Sequence, residues 1–303
     1  VIERQVARDV RGAWRSAFKR YEFVVSFRER HRISDLGVGV GFRSPHAATV
    51  LEERPPMDWF EVIGDNYLLE PPLAMARLER LVAHYRVIPH GVSMSIGGVE
   101  PLDRDYLTRL KKLLRLVDPP WCSDHLCFTG ASGVVVNDLL PLPYTAETIA
   151  HVVERVKVVQ GFLEVPFAIE NVSSYMTYAS SSIPEWDFLA QIAERGDCGI
   201  LFDCNNVYVS SKNHGFDPTS YVDALPVDRI VQIHLAGHTD KGAYFLDTHS
   251  DHVKEEVWDL YRRTLRRVGA VSTLVEWDED IPTWDVLSAE AEKARVVRRE
   301  VLG

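Results

Sequence analysis

The stretch RIVQIHLAG, residues 229–237, is apolar almost throughout, carries a histidine near its end and closes on glycine. A short continuous apolar run of this kind reads as a strand of a parallel sheet covered on both faces. A half-exposed strand would alternate polar and apolar residues instead. The pattern recurs at GVGVGF (37–42), WFEVIG (59–64), VIPHGVSMS (87–95), WCSDHLCF (121–128), PFAIEN (166–171), GILFDCNN (199–206) and STLVEW (272–277). The interval between runs averages roughly 33 residues, the size of a strand–helix unit. Between them AMARLERLVAHY (74–85), DYLTRLKKLLRLV (105–117), AETIAHVVERVKVVQGFL (146–163), WDFLAQIAER (186–195) and KEEVWDLYRRTLRRV (254–268) place apolar residues at helical spacing. Thr145 and the pair Pro184–Glu185 read as helix starts, and Gly196 and Gly269 as helix stops. Eight such alternations predict an α/β protein built as a closed (β/α)8 TIM barrel. An open doubly wound sheet is the alternative. It would carry a glycine-rich phosphate turn after the first strand, which GVGVGFRSPH does not continue into.

Residues 1–33 precede the first strand and read as an amphipathic helical extension (Val6, Val10, Trp14, Phe18), packed on the barrel or on a partner. Residues 34–303 then form one catalytic domain, with an insert at 129–144 that reads as a loop carrying a short hairpin. The 303 residues are 46% hydrophobic and 26% charged, which excludes a disordered or fibrous chain. With 34 Lys+Arg against 44 Asp+Glu the net charge is −10, which argues against a nucleic-acid partner. No apolar run reaches the roughly 18 residues of a membrane span, and VIERQVARDVRGAW shows no secretory core. Cys122, Cys127, Cys198 and Cys204 form no CxxC pair and read as small buried hydrophobes in a reduced, cytoplasmic setting.

In a barrel the active site lies at the C-terminal ends of the strands. His31, His84 and His151 fall in helical stretches and read as packing or surface residues. The other histidines, His46, His90, His125, His214, His234, His238, His249 and His252, sit at or just after predicted strands, His252 at the start of a helix. Acids join them: Glu61 and Asp65 after the second strand, Asp124 after the fourth, Glu170 after the fifth, Asp203 after the sixth and Glu276 after the eighth. Asp247 and His249 form an Asp-x-His pair after the seventh. Carboxylates from successive strands would converge at the barrel mouth, where like charges a few ångströms apart repel unless cations sit among them. His and carboxylate ligands without thiolates suit iron, manganese or zinc, and about ten of them imply two or three ions.

GFR-x-x-H (41–46), PHGVSMSIG (89–97), SDHL (123–126), IENVSSY (169–175), FDCNNVYVSSKNHGFDP (202–218), QIHLAGH (232–238), DTHSDHV (247–253) and VEWD (275–278) together resemble the multinuclear non-haem iron-dependent oxidases. The resemblance spans about residues 37–285. It implies a xylose-isomerase-like TIM barrel. It further implies one iron on His46, His90 and Glu170, a second on Glu170, Asp203, His234 and Glu276 with Glu170 bridging, and a third on Asn206, Asp247 and His249. His214 matches a family position near the metals, and Asp124, His125 and His238 would orient ligands from behind. The implied chemistry is O2-dependent oxidation of a ribosomally made precursor peptide, at Cys or at Asp or Asn, on an Fe(II)/Fe(III) pair. A small leader-binding protein would act in trans.

Two other readings stand beside this one. The Asp-x-His and Glu pattern also resembles endonuclease IV, so a zinc- or manganese-dependent hydrolase or sugar isomerase fits the same barrel. The charge of −10 disfavours a DNA hydrolase, and an isomerase would want a strand-end lysine where the sequence offers only the loop residues Lys212 and Lys241. The third reading is a non-catalytic metal-binding subunit.

Overall fold

A computed structural model describes residues 25–303. The helix expected over residues 1–33 falls outside the described residues as far as residue 24. What is described of it is one turn, α1 (Phe27–Arg30), closed by a reciprocal Ser26–Glu29 capping box.

Eight parallel strands close a barrel: β1 (Val38–Gly41), β2 (Trp59–Ile63), β3 (Arg86–Gly91), β4 (Cys122–His125), β7 (Phe167–Glu170), β8 (Gly199–Asp203), β9 (Ile230–Leu235) and β12 (Ser272–Val275). Each coincides with one of the apolar runs in the sequence. A hairpin, β5 (Phe128–Ala131) and β6 (Val134–Leu140), fills the expected insert, and a smaller one, β10 (Thr239–Asp240) and β11 (Phe245–Leu246), follows β9. The outer ring is α2 (Pro72–Val82), α3 (Arg104–Val117), α4 (Ala146–Leu163), α5 (Glu185–Gly196), α6 (Cys204–His214), α7 (Pro218–Ala224), α8 (Glu255–Val268) and α9 (Trp284–Leu302).

The helix signals hold with small shifts. Thr145 accepts from the Thr148 backbone N–H, and Gly269 caps α8 at φ 79°. Gly196 is the last residue of α5, and the left-handed cap falls on Asp197. Several strands are shorter than their apolar runs, and in one the reason is a helix cap. GILFDCNN stops as a strand at Asp203, whose carboxylate accepts from the Asn206 N–H at 2.6 Å and starts α6 at Cys204.

Strand periodicity divides the barrel interior into layers. Side chains two apart share a face, and five strands carry an apolar residue followed two positions on by a polar one: Trp59/Glu61, Ile88/His90, Ala168/Glu170, Leu201/Asp203 and Leu274/Glu276. The first members, with Trp121, Val231, Ile33 and Phe27 of α1, form one buried cluster that plugs the N-terminal end. Gly39 belongs to this floor because a Cβ there would meet the Trp59 ring at 2.6 Å. The second members stand one layer higher, at the C-terminal mouth. The larger apolar cluster lies outside the barrel, between strands and helices. No described helix is long and apolar enough to cross a membrane.

Candidate metal centre

Register sets which polar residues meet. His125 pairs with Glu170 across β4 and β7, and Asp203 pairs with His234 across β8 and β9. Glu170, at the end of β7, divides its two oxygens. Oε2 lies 3.2 Å from His90 Nε2 and 3.3 Å from His125 Nε2. Oε1 lies 3.3 Å from His234 Nδ1. His234 Nδ1 is also 3.0 Å from Glu276 Oε2 and 3.9 Å from Asp203 Oδ2. Two ligand groups therefore share one carboxylate: His90, His125 and Glu170 on one side, and Glu170, Asp203 and His234 on the other. Glu276 Oε2 extends the second group to His249 Nδ1 at 3.2 Å, and Asp203, His249 and Glu276 form a third. The nearby Asp247 Oδ1 is 2.7 Å from His249 Nε2.

These close approaches are not hydrogen bonds. Glu170 Oε2, Asp203 Oδ2, Asn206 Oδ1, His234 Nδ1 and His249 Nε2 are all buried without a hydrogen-bond partner. Buried polar atoms almost always have one. Lone pairs from several strands that converge without bonding one another are what a metal cluster requires.

The atoms behind the ligands orient them. His90 Nδ1 meets Ser123 Oγ at 2.8 Å and His125 Nδ1 meets the Gly91 carbonyl at 3.1 Å, which turns both Nε2 atoms toward Glu170. Burial pushes the His90 pKa well down and that of His125 to about 4, so both rings are neutral donors. His234 is gripped from behind by Glu61, whose Oε2 lies 3.1 Å from Nε2 and takes the Gln232 amide at 2.6 Å. Trp121 in turn donates to Gln232 Oε1 at 2.9 Å. Arg43 at the end of β1 holds Asp278 and lies 3.7 Å from Glu276 Oε1, which leaves Oε2 for the centre.

The carboxylates report the same demand for positive charge. Burial raises Glu170 to about 7 and Asp203 well above its usual range. Burial alone would also lower His234, but Glu61, Glu276 and Glu170 outweigh it and hold the ring well above its ordinary value. Burial works against the Glu276 charge, yet His234 and His249 hold its pKa well below normal. The direction of these shifts shows a site that draws positive charge, which bound cations would supply.

The structure brings together His90, Glu170, Asp203, His234, His249 and Glu276 of the ligand set read from the sequence, with Asn206 and Asp247 on the same pocket wall. His125, read as an orienting residue, joins His90 and Glu170 directly. His46, read as their companion, instead lies 2.8 Å from the Pro282 carbonyl through Nε2 and packs edge-on to Trp284 at 5.7 Å, with Nδ1 buried and unpartnered. His214 meets Ser174 through its hydroxyl at 2.8 Å and its carbonyl at 3.0 Å, away from these groups. His238 holds Asn205 at 2.8 Å, and Asn205 donates to Asp247 at 2.7 Å, so His238 acts on Asp247 from behind. Asp124 accepts from the His125 and Met94 amides and braces the chain after β3 and β4. Arg43 and Gln232 are not singled out in the sequence, whereas Glu61 is read there as one of the carboxylates at the mouth but is given no place in a ligand set. For Glu61 the signal was available, since Trp59-x-Glu61 repeats the Leu274-x-Glu276 layer pattern.

The mouth is a cavity of about 270 Å³ walled by His90, His125, Asn206, Asp247, His249 and Glu276, by Asp138 and Leu139 of β6 and by Val172, Ser173 and Tyr175. A family described as "RiPP precursor modification enzyme MbnB/TglH/ChrH" matches residues 37–299. The chain belongs to this family. Members modify ribosomally synthesised precursor peptides, and the family is the one that the motifs over residues 37–285 resemble. Among its relatives, a UPF0276 protein of Anaeromyxobacter sp. (strain Fw109-5) is 49% identical over 267 residues, 88% of this chain and 94% of the relative. One from Acaryochloris marina (strain MBIC 11017) is 47% identical, covering 85% of this chain and 93% of its own. Solved structures share the fold at low identity. D-psicose 3-epimerase from Clostridium cellulolyticum has a TM-score of 0.57 at 12% identity, covering 88% of this chain and 99% of its own. Endonuclease IV from Thermus thermophilus has a TM-score of 0.56 at 14% identity, covering 87% of this chain and 99% of its own. These likenesses show a xylose-isomerase-like TIM barrel and nothing of the chemistry.

Proposed function

We propose that this family member is an O2-dependent oxidase that holds two or three irons and modifies one residue of a precursor peptide, Cys foremost, with Asp or Asn as the other targets. The observation that carries the reading is the division of Glu170, with Oε2 facing two neutral imidazoles and Oε1 facing a carboxylate-rich group around His234. A single bridging carboxylate between an imidazole-rich and a carboxylate-rich site provides for two metal ions of different charge.

His90, His125 and Glu170 would hold one ion, and Glu170, Asp203, His234 and Glu276 the next. His249, Asp247 and Asn206 would hold a third. Bound iron would supply the redox chemistry with dioxygen that no side chain of this centre can. The chain supplies the rest. Ser123 and the Gly91 carbonyl fix the two imidazoles, and Glu61 fixes His234. Arg43 steers Glu276, and the floor of Trp59, Trp121 and Leu274 closes the site to water from below. The 270 Å³ cavity is smaller than the pockets that enclose whole small molecules, about 300 Å³ or more, and suits one side chain presented by a longer peptide. A small partner protein that holds the rest of the precursor completes the proposal.

The test is anaerobic reconstitution with ferrous iron, zinc or manganese, followed by mass spectrometry of a co-expressed precursor peptide with and without oxygen. A mass change that needs both iron and oxygen is expected. Turnover with zinc or manganese in the absence of oxygen would refute the oxidase reading and favour a hydrolase or isomerase.

A further inference from the structure

Beside the metal cavity lies a larger groove of about 720 Å³ between the β5–β6 hairpin and the start of α4. It shares two walls with the metal cavity. Phe128 and Ala131 of the hairpin line the groove, whereas Asp138 and Leu139 of the same hairpin line the metal cavity. In the segment after β7, Tyr178 faces the groove and Tyr175 the metal cavity. Three residues of extended chain span at most about 11 Å, so one extended peptide can occupy both.

The floor of the groove is the backbone of Gly97 and Gly98, three of whose polar groups are already used. The Gly97 N–H donates to the Cys127 carbonyl at 2.9 Å and the Gly98 N–H to the Ser95 carbonyl at 2.8 Å. The Gly98 carbonyl meets His151 Nε2 at 2.8 Å. A side chain at Gly97 would meet Leu142 at 2.3 Å, so the floor stays bare because Leu142 packs against it. With these floor hydrogen bonds committed, recognition rests mainly on shape and on apolar contact with Val99, Phe128, Leu142 and Pro143. Glu147 is the only carboxylate among the described residues lining the groove. Val99, on the wall of the groove, is 78% exposed, and the hairpin that forms another wall also exposes Val134 at 65% and Val135 at 78%. Exposed apolar surface at a groove marks a contact site.

We propose that this groove binds an extended apolar segment of the precursor peptide, next in sequence to the residue whose side chain enters the metal cavity. The proposal deepens the peptide-oxidase reading above and rests on it. The occupant follows from continuity: a ligand that must deliver one side chain to a 270 Å³ cavity while remaining a polypeptide has to leave along a wall, and the hairpin leads into a mainly apolar trough with Glu147 as its one carboxylate among the described residues.

The experiment uses the iron-loaded full chain, immobilised, and a displayed library of dodecapeptides with one central cysteine. Ala131→Trp fills the groove, Tyr178→Ala strips its wall, and Leu116→Trp alters an unrelated surface cavity as the control. The unaltered protein and Leu116→Trp should enrich peptides with an apolar run on one side of the cysteine. Ala131→Trp and Tyr178→Ala should lose that enrichment about tenfold, the range of a strong interface contact, while binding as much iron as the unaltered protein. Equal enrichment by all four proteins would overturn the groove and leave the peptide reading intact. Absence of enrichment by the unaltered protein would likewise overturn the groove, and the iron- and oxygen-dependent mass change described above decides the peptide reading by itself.

Discussion

Replacing Glu61 by glutamine is the sharpest probe of the centre, because it removes one charge and no volume. Glu61 is fully buried on β2 and makes both of its contacts through Oε2, to His234 Nε2 at 3.1 Å and to the Gln232 amide at 2.6 Å. Hydrogen bonds to a charged group contribute about 1.5–3 kcal/mol, against about 1 kcal/mol for neutral pairs, so the exchange weakens the grip on His234 by roughly 1–2 kcal/mol. Loss of a carboxylate behind a metal-binding histidine typically costs about 10–100-fold in metal affinity, which agrees with that range. Glu61→Gln should therefore weaken one ion about tenfold or more, the one on Glu170, Asp203, His234 and Glu276. The ion on His90, His125 and Glu170 should bind as before, since neither imidazole touches Glu61. Anaerobic competition against a chromogenic ferrous chelator resolves the two affinities, and circular dichroism confirms the barrel. Two unchanged affinities, or two that fall together, would refute the assignment of Glu61 to His234 alone.

Glu170→Gln should lower metal content at both shared sites, because each uses one of its oxygens, whereas His125→Ala should lower it at one. Elemental analysis of the two purified variants separates these outcomes. Glu185, which accepts from Tyr221 at 3.1 Å, has its pKa raised by burial to about 7. Between the ordinary carboxyl range and pH 7 the unfolded chain gives up this proton and the folded chain keeps it. Its contribution thus falls as pH rises through that window, by up to roughly 3 kcal/mol before solvent screening of a part-exposed group. Thermal melts of Glu185→Gln should show a flatter pH profile than the unaltered protein between pH 5 and 8. Phe27→Ala should destabilise the barrel by about 3–5 kcal/mol, the usual range for emptying a buried aromatic site, since Phe27 is wholly buried in the floor cluster. Chemical denaturation that shows less than about 1 kcal/mol would mean that α1 is dispensable to the plug.

The strands were legible because burial on both faces leaves no alternation to confuse with a surface strand, and every apolar run became one. Cys204–Asn206 read as part of the strand, whereas the Asp203 carboxylate caps them into the first turn of α6. Two outer helices left fainter traces. α9 buries mainly Leu287, Ala291, Ala294 and Val297, a stripe of small residues that reads weakly beside its many charges. α6 buries polar Asn205, Asn206 and Ser210 along with its apolar residues, so its period is masked. Within the centre, residues that end strands fell where strand geometry puts them: His90, Glu170, Asp203, His234 and Glu276. His46 and His125 show the limit. His125 ends β4 directly opposite Glu170, whereas His46 lies beyond β1 in a turn that carries it against Pro282 and Trp284. Spacing in one dimension shows neither the turn that seats His46 there nor the register that sets His125 against Glu170.

The layering also explains how one barrel can carry so unfavourable a mouth. Glu61, Glu170, Asp203 and Glu276 are buried within contact range of His234, a concentration of charge that by itself opposes folding. Directly below, Trp59, Ile88, Trp121, Leu201 and Leu274 form an apolar layer sealed by Phe27, and each such large side chain contributes roughly 1.5–3 kcal/mol when buried. Two residues of strand rise, about 6.6 Å, separate the layer that stabilises from the layer that reacts. Ions bound to the upper layer would stabilise the fold, by about 2.7 kcal/mol for each site at a hundredfold excess over its dissociation constant. The metal-free protein should accordingly melt at a lower temperature than the loaded one. That difference should shrink in Glu170→Gln, where the carboxylate common to both groups is gone.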